Sequence, residues 1–264
     1  MTVVLAAIDT SPAAGPVLRT ANALANTLGL RVFALHAVGN GAERGPLRLL
    51  TDRTDVPVRL TGVECPADAI LAALEDEQVL GAVVGARSHT AGRRPAGSTA
   101  LAVATRARKP VVVVPPDLRE PPRDPRDRSR ERLHRVLVPL EGSGHTTVAV
   151  RQVLTALAGR GVKVIPLHAL DAATAPRFWD RPEHDWRTWS EEFAARFSPV
   201  PDSGRLRLRA GRPAQVILDA GTAERADVIA LGWSQDLTPG RAAVVREVLT
   251  RTPIPLILLP VPLT

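Results

Sequence analysis

The chain repeats itself, and this internal repeat constrains its fold more than any other feature. Five segments recur in the same order at offsets of 132 to 147 residues. The matched pairs are Val3–Asp9 with Arg135–Glu141, Arg31–His36 with Lys163–His168, Pro66–Ala73 with Pro213–Ala220, Leu80–Gly85 with Asp227–Gly232, and Pro110–Pro115 with Pro255–Pro260. Because the offset changes only where a loop can lengthen, the pattern indicates a tandem duplication of one domain of roughly 115 to 130 residues.

The composition narrows the class of protein. With 264 residues, 45% of them hydrophobic and 23% charged, the chain is long enough for two cores. No apolar run approaches the ~20 residues of a membrane span, and the N-terminal stretch lacks the basic region of a signal peptide. Cys65 is the one cysteine, so it forms no intramolecular disulfide. A cytoplasmic protein without membrane contact is therefore expected.

A formal net charge of +7 raises the question of nucleic-acid binding. Single-stranded nucleic acids are bound by basic grooves with aromatic side chains on which bases stack. The basic stretches of this chain are not interleaved with aromatic residues. Nucleic acid is therefore not the expected partner.

Apolar runs and helical segments alternate along both copies. The apolar runs are short, rich in Val, Ile and Leu, and uninterrupted, which is typical of parallel strands buried on both faces. Between them lie helical patterns such as Pro16–Leu28, which Gly29 terminates. Each copy is predicted to be a doubly wound α/β layer in the order β-α-β-β-α-β-α-β.

The predicted domains are residues 1–116 and 135–264. Residues 117–134, rich in proline and charge, are predicted to be the linker. The runs Val111–Val114 and Leu256–Leu259 end the two copies, and unpaired apolar edges promote aggregation. These strands are therefore expected to pair antiparallel, within one chain or between two chains.

Residues 171–198 are an insert in the second copy that holds three of the four tryptophans and three of the four phenylalanines. Near-helical spacing places four of them on one stripe, namely Trp186, Trp189, Phe193 and Phe197. A helix covering the sheet is favoured, because a doubly wound sheet needs a crossover helix before its third strand; a lid or partner surface is the alternative. The consecutive residues 183–185 (Glu-His-Asp) do not face one another on a helix, so no metal site is expected.

Candidate site residues of the first copy lie where strands end, which is where open α/β sheets bind ligands. Asp9 ends the first strand, and Gly85 ends the fourth and opens a loop with three arginines. The helix start at 97–99 (Gly-Ser-Thr) offers free N–H groups to an anion. Together these features suit a nucleoside phosphate. Separately, Asp9 could cap the first helix, Gly97-Ser98 could be a cap without ligand, and the arginines could be solvated.

The chain resembles the universal stress protein family over both copies. The resemblance rests on the element order, residues 8–12 (Ile-Asp-Thr-Ser-Pro), Leu35-His36, and Gly85 with Gly97-Ser98 ahead of the last apolar run. It implies two tandem Rossmann-like domains of the adenine nucleotide alpha hydrolase-like kind, each a five-stranded parallel sheet in order 3-2-1-4-5. It also implies pairing through the last strands and binding of ATP, with Mg²⁺, without substrate chemistry.

Carried over to this chain, the family's ATP contacts fall on ten residues. The adenosine contacts are Ala7, Asp9, Ala37 and Val84; the phosphate contacts are Gly85, Arg87, Ser88, Gly97, Ser98 and Thr99. The family's loop reads Gly-x-x-Gly, nine residues, then Gly-Ser or Gly-Thr; here Ser88 replaces the second glycine and eight residues intervene. The second copy departs further, with Glu141, Gln235 and residues 242–243 (Ala-Ala), so weak or absent ATP binding is expected there.

The predicted function is that of a stress-response or regulatory protein that binds ATP or a related adenine nucleotide in domain 1 without turnover and signals through a protein partner. Intramolecular domain pairing is expected, and a homodimer is a further option. The alternatives are a ligand-free interaction module of the same fold and a slow ATPase. The sequence contains neither a Walker loop nor a His-Asp-Ser set, so an enzyme is not favoured. His36 and His168 are predicted to be packing residues.

Overall fold

A computed structural model describes residues 2–38, 56–62, 65–86, 97–116, 118, 131–170, 186–197, 206–238 and 241–261. Within these ranges the chain forms ten strands and seven helices. The strands are β1 (Val3–Ala7), β2 (Arg31–Val38), β3 (Val58–Gly62), β4 (Val79–Gly85), β5 (Val111–Val114), β6 (Arg135–Pro139), β7 (Lys163–Leu170), β8 (Arg207–Ala210), β9 (Val228–Trp233) and β10 (Leu256–Pro260). The helices are α1 (Ala14–Leu28), α2 (Pro66–Leu74), α3 (Ser98–Arg106), α4 (Gly144–Ala158), α5 (Trp186–Phe197), α6 (Pro213–Ala223) and α7 (Ala243–Arg251).

All ten strands belong to one sheet, in the order β3-β2-β1-β4-β5-β10-β9-β6-β7-β8. The first half, β1–β5, has the order 3-2-1-4-5, and the second half, counted from β6, has the same order. Every pairing within a half is parallel. The predicted fold class is confirmed.

The two halves join through their last strands. β5 and β10 pair antiparallel, with Val112 opposite Ile257, and both side chains are buried. This pairing removes the two apolar edges that the sequence showed to be unfavourable in water. It occurs within one chain, which decides between the two arrangements expected from the sequence.

Helices cover both faces of the sheet. Helices α1, α4 and α5 pack on one face, where the core extends from Val4 to Leu259. Helices α2, α3, α6 and α7 pack on the other face, around Leu5 and Leu256. The sheet is thus buried on both sides, as its uninterrupted apolar strands require.

Part of the aromatic insert forms the predicted crossover helix. In α5, Phe193 is 7% exposed, and its ring centroid lies 4.3 Å from that of His168 and 4.9 Å from that of Phe197. This confirms the covering role for the described end of α5. The side chains of Trp186 and Trp189, and residues 171–185, lie outside the described residues.

Several element ends differ from the sequence prediction, among them the ends of β1 and α2. Strand β1 ends at Ala7, so Asp9 lies in the turn after the strand and not at its end. Helix α2 ends at Leu74, although the apolar pattern of Ala67–Gln78 predicts a helix that continues to residue 78. Asp76 explains the early stop, because its carboxylate accepts the N–H of Gln78 (2.9 Å) and its carbonyl accepts the N–H of Val79 (2.9 Å).

The end of the predicted linker is part of the folded core. Leu133 is 8% exposed, and its N–H donates to Thr27 Oγ1 at the end of α1 (2.8 Å). Residues 117 and 119–130 lie outside the described residues. No helix in the described part of the chain has both the length and the apolar character to cross a membrane.

Ile257→Ala tests whether the central strand pair makes the chain one cooperative unit. Ile257 is 1% exposed, so truncation should lower the free energy of unfolding by about 2–5 kcal/mol. All four tryptophans lie in the second half, at 179, 186, 189 and 233, whereas far-UV circular dichroism reports both halves. We expect the fluorescence and dichroism curves in urea to shift together.

Val148→Ala is the matched control, because Val148 is 66% exposed and its truncation should change stability by less than about 0.5 kcal/mol. Two separate transitions in the Ile257→Ala variant, with only the fluorescence curve displaced, would contradict cooperative coupling of the halves.

Candidate functional site

A cleft of about 230 Å³ lies at the carboxyl ends of the strands in the first half, between the start of α1 and helices α2 and α3. Eight of the ten residues predicted to contact ATP line it: Ala7, Asp9, Ala37, Val84, Gly85, Gly97, Ser98 and Thr99. The other two, Arg87 and Ser88, lie outside the described residues. Residues from four separate stretches of the sequence thus meet at one place.

Parallel pairing of neighbouring strands brings these stretches together. β1 pairs with β2 on one side and with β4 on the other, so their carboxyl ends lie side by side. The small side chains of Ala7 and Ala37 leave space above the sheet, and Val84 lies beside them. The result is an apolar floor, which suits a flat ring better than it suits a charged group.

Asp9 occupies the turn between β1 and α1. Its Oδ1 accepts the backbone N–H of Ser11 (2.9 Å) and the Ser11 hydroxyl. The N–H of Ala13 donates in turn to Ser11 Oγ (3.2 Å), and the N-cap of α1, Ala13, has no side-chain cap. Ser11 and not Asp9 therefore meets the start of α1, and the Asp9 carboxylate is held at the cleft by the turn.

Helix α3 begins at the cleft without a capping side chain. Its N-cap is Gly97, which has no side chain, and Ser98 is the first residue of the helix. The N–H groups of a first helical turn have no intrahelical partner and carry the positive end of the helix dipole. Gly97 is thus the N-cap of α3, no side chain covers the first turn, and this helix start is open to an anion.

The cleft walls include residues that the sequence prediction missed. Ala13, Ala14 and Val17 come from α1, and Pro66 and Ile70 from α2. The apolar stripes of both helices could have predicted these residues. Each helix follows the carboxyl end of a strand, so its first turn lies beside the cleft. These stripes were interpreted only as core contacts.

The corresponding region of the second half is built differently. Glu141, which corresponds to Asp9, accepts the hydroxyls of Ser143 (2.8 Å) and Thr146 through Oε1, and Ser143 Oγ caps α4. Ala242 and Ala243 replace Gly97 and Ser98, and Ala242 has a φ of 48°, which is unfavourable for alanine. The carboxylate, the open glycine and the hydroxyl of the first half therefore have no counterparts in the same arrangement.

His36 and His168 occupy equivalent positions and make equivalent contacts. Each is 6% exposed, and Nδ1 donates to a backbone carbonyl just beyond the first strand of its half, Ile8 O at 2.9 Å and Leu140 O at 2.7 Å. A carbonyl only accepts, so Nδ1 carries the proton in both rings. The predicted packing role of both histidines is confirmed.

The charged groups at the cleft limit its chemistry. Asp9 is the one titratable side chain among the described residues that line it. Across the described ranges, no cluster of three or more His, Cys, Asp or Glu side chains is placed to hold a metal ion. The described cleft therefore offers binding groups, namely one carboxylate, an apolar floor and a helix start, and no nucleophile paired with a base.

In comparisons with known proteins, the second half of the chain matches a known family. Residues 132–260 match the model of the universal stress protein family. A functionally unknown protein from Pseudomonas aeruginosa PAO1 has a similar structure, with 13% identity, 98% of this chain and 92% of that chain covered, and a TM-score of 0.70. A universal stress protein from Archaeoglobus fulgidus gives 14% identity, 98% coverage of both chains and a TM-score of 0.62. No curated protein matches the chain.

The pH dependence of stability tests the environment of His168. Burial lowers the pKa of His168 from its ordinary value of 6.5, against a smaller opposite effect of the Leu140 carbonyl. The unfolded chain then binds this proton more readily than the folded chain. The contribution of neutral His168 to the free energy of unfolding is therefore complete above pH 6.5 and is lost as the pH falls below it. We expect His168→Asn, which keeps an N–H donor but does not titrate, to show a shallower loss between pH 7 and 5.

Urea unfolding of both proteins at each pH measures this difference, and subtracting one curve from the other removes the contribution of the other ionisable groups. Parallel pH profiles for the two proteins would contradict it.

Proposed function

We propose that the chain is a tandem universal stress protein, since residues 132–260 match that family, that its first half binds ATP or a related adenine nucleotide without turnover, and that a protein partner reads the bound state. One observation carries the proposal. Eight residues from separate parts of the sequence converge on a single cleft that an uncapped helix start faces. In this proposal residues 1–116 are the nucleotide-binding domain, 117–134 the linker and 135–264 a second domain.

Each part of the cleft suits a different part of the nucleotide. The apolar floor, with Ala7, Ala37 and Val84, would take the adenine ring. The Asp9 carboxylate would accept hydrogen bonds from the ribose hydroxyls. The N–H groups at the start of α3, with the hydroxyls of Ser98 and Thr99, would bind the phosphates, because a helix start favours negative charge.

Four further groups belong to the proposed site. Gly85 and Gly97 would let the backbone approach the phosphates closely. Arg87 and Ser88, which follow β4 in the sequence, would add a positive charge and a hydroxyl. Mg²⁺ bound with the nucleotide would neutralise part of the phosphate charge, and the chain itself supplies no described metal cluster for it.

The described groups at the cleft support binding without turnover. Hydrolysis of a phosphate needs a residue that positions or deprotonates the attacking water. Asp9 is the one described side chain at the cleft that could take a proton, and it would be occupied by the ribose. A regulatory role in stress response is therefore favoured over a slow ATPase.

The second half is proposed to bind little or no nucleotide and to serve the assembly. Its Glu141 carboxylate is tied to the cap of α4, and alanines stand at the helix start. A homodimer would have to use a surface other than β5 and β10, because those strands already pair within the chain. The lone, exposed Cys65 suits the cytoplasmic location of this proposal.

Ser98→Glu and Ser98→Ala test the phosphate site directly. A carboxylate in the first turn of a helix stabilises the helix, but it repels a bound phosphate. We expect Ser98→Glu to keep or raise the melting temperature while it abolishes ATP binding. Ser98→Ala, which removes one hydroxyl, should weaken binding by about 0.5–1.5 kcal/mol.

Isothermal titration calorimetry of the full chain with Mg-ATP should give a stoichiometry near one. Ala243→Ser, at the equivalent position of the second half, is the matched control and should not raise the stoichiometry. Two nucleotides per chain, unchanged affinity in Ser98→Glu, or steady phosphate release by the wild type would each refute part of the proposal. No binding at all would favour the ligand-free interaction module.

A further inference from the structure

A side chain of the second half holds the far end of the helix that begins at the cleft. The Nε2 amide of Gln235 donates to two backbone carbonyls of the first half, Ala104 O at 2.9 Å and Ala107 O at 2.7 Å. Both residues belong to the C-terminal end of α3, whose last helical residue is Arg106. Both partners are carbonyls, so the amide must present its two N–H groups to them.

These two carbonyls need an outside donor. The last four carbonyls of a helix have no intrahelical partner, and Ala104 and Ala107 are 3% and 2% exposed. Lys109, the nearby cation of the first half, donates to Asp76 O and Val79 O instead. Gln235 therefore satisfies buried acceptors that water reaches poorly.

The backbone conformation at Gln235 is unusual for a residue other than glycine. Gln235 has a φ of 60°, in the left-handed region that glycine adopts freely and other residues adopt at a cost. It follows Gly232 by three residues, where the family's loop pattern has its second glycine. Glycine would fit this backbone better, but it has no amide to offer α3.

The two ends of α3 thus have different partners. Its start, at Gly97 and Ser98, lines the cleft of the first half, and its end is bound to the second half. A helix of nine residues is about 13 Å long and behaves as a rigid rod. Movement of one end is therefore transmitted to the other.

We propose that Gln235 is a positioning residue through which the second half fixes α3, and thereby sets the N–H groups that bind phosphate in the first half. The loop after β9, residues 234–238, then acts as a brace for the cleft of the other half and not as a second nucleotide loop. The proposal assigns the second half a role in nucleotide affinity, and it rests on the proposed function for its ligand.

Four variants of the full chain separate the brace from general stability. Gln235→Glu keeps the shape of the side chain but points a carboxylate at two carbonyls. Gln235→Gly relieves the backbone and removes the amide, and Gln235→Lys restores a donor at a helix end that favours cations. Thr238→Ala is the control, because the Thr238 hydroxyl donates to Asp236 Oδ1 (2.6 Å) within its own loop.

Hydrogen exchange by mass spectrometry on peptides that cover residues 98–107 measures the brace in the absence of nucleotide. Calorimetry with Mg-ATP measures its effect on the site. We expect Gln235→Glu and Gln235→Gly to speed exchange in α3 and to weaken ATP binding about tenfold, which corresponds to the loss of one to two neutral hydrogen bonds. Gln235→Lys should recover most of the affinity, and Thr238→Ala should match the wild type.

Unchanged exchange of α3 in both Gln235→Glu and Gln235→Gly would overturn the brace. Faster exchange with unchanged ATP affinity would overturn the positioning role. If the wild type binds no ATP, the proposed function is what fails, because the exchange measurement tests the brace without nucleotide.

Discussion

The antiparallel pairing of β5 with β10 is the contact on which the rest of this structure depends. It turns two five-stranded sheets into one sheet of ten strands, and it buries two apolar edges that would otherwise be exposed to water. It also fixes how the halves face each other. The loop after β9 then lies beside the end of α3, and residue 133 lies beside the end of α1. Both of these contacts thus lie at helix ends.

The two halves share one fold but differ in the contacts of the acidic residue that follows their first strand. One methylene separates Asp9 from Glu141, and it changes which groups the carboxylate reaches. Asp9 closes a short turn with Ser11 and lines the cleft, whereas Glu141 reaches the Thr146 hydroxyl within α4. A small change at a strand end therefore redirects a charged group from the cleft to a helix cap, and the fold itself is unaffected.

The sequence predicted the fold because the repeat and the uninterrupted apolar strands leave few alternatives. Periodicity alone did not provide the strand order, which depends on contacts between distant segments and came from the family resemblance. The end of β1 was placed two residues late, because Ile8 prolongs the apolar run after the strand has turned. Eight of the cleft residues were identified, but Pro66 and Ile70 were not, because an apolar helical stripe looks the same whether it faces a core or a ligand.

The contacts of Gln235 could not be predicted from the local sequence. The sequence reveals the loss of a glycine, and that loss suggests only a weakened nucleotide loop. The contact that explains it joins residues 131 positions apart, so no local pattern contains it. A left-handed backbone costs of order 1–3 kcal/mol in a residue other than glycine, and each buried carbonyl left without a donor costs about 1–3 kcal/mol. With two carbonyls satisfied, the amide outweighs the strain, so glutamine at this position is the more stable choice as long as the two halves remain paired.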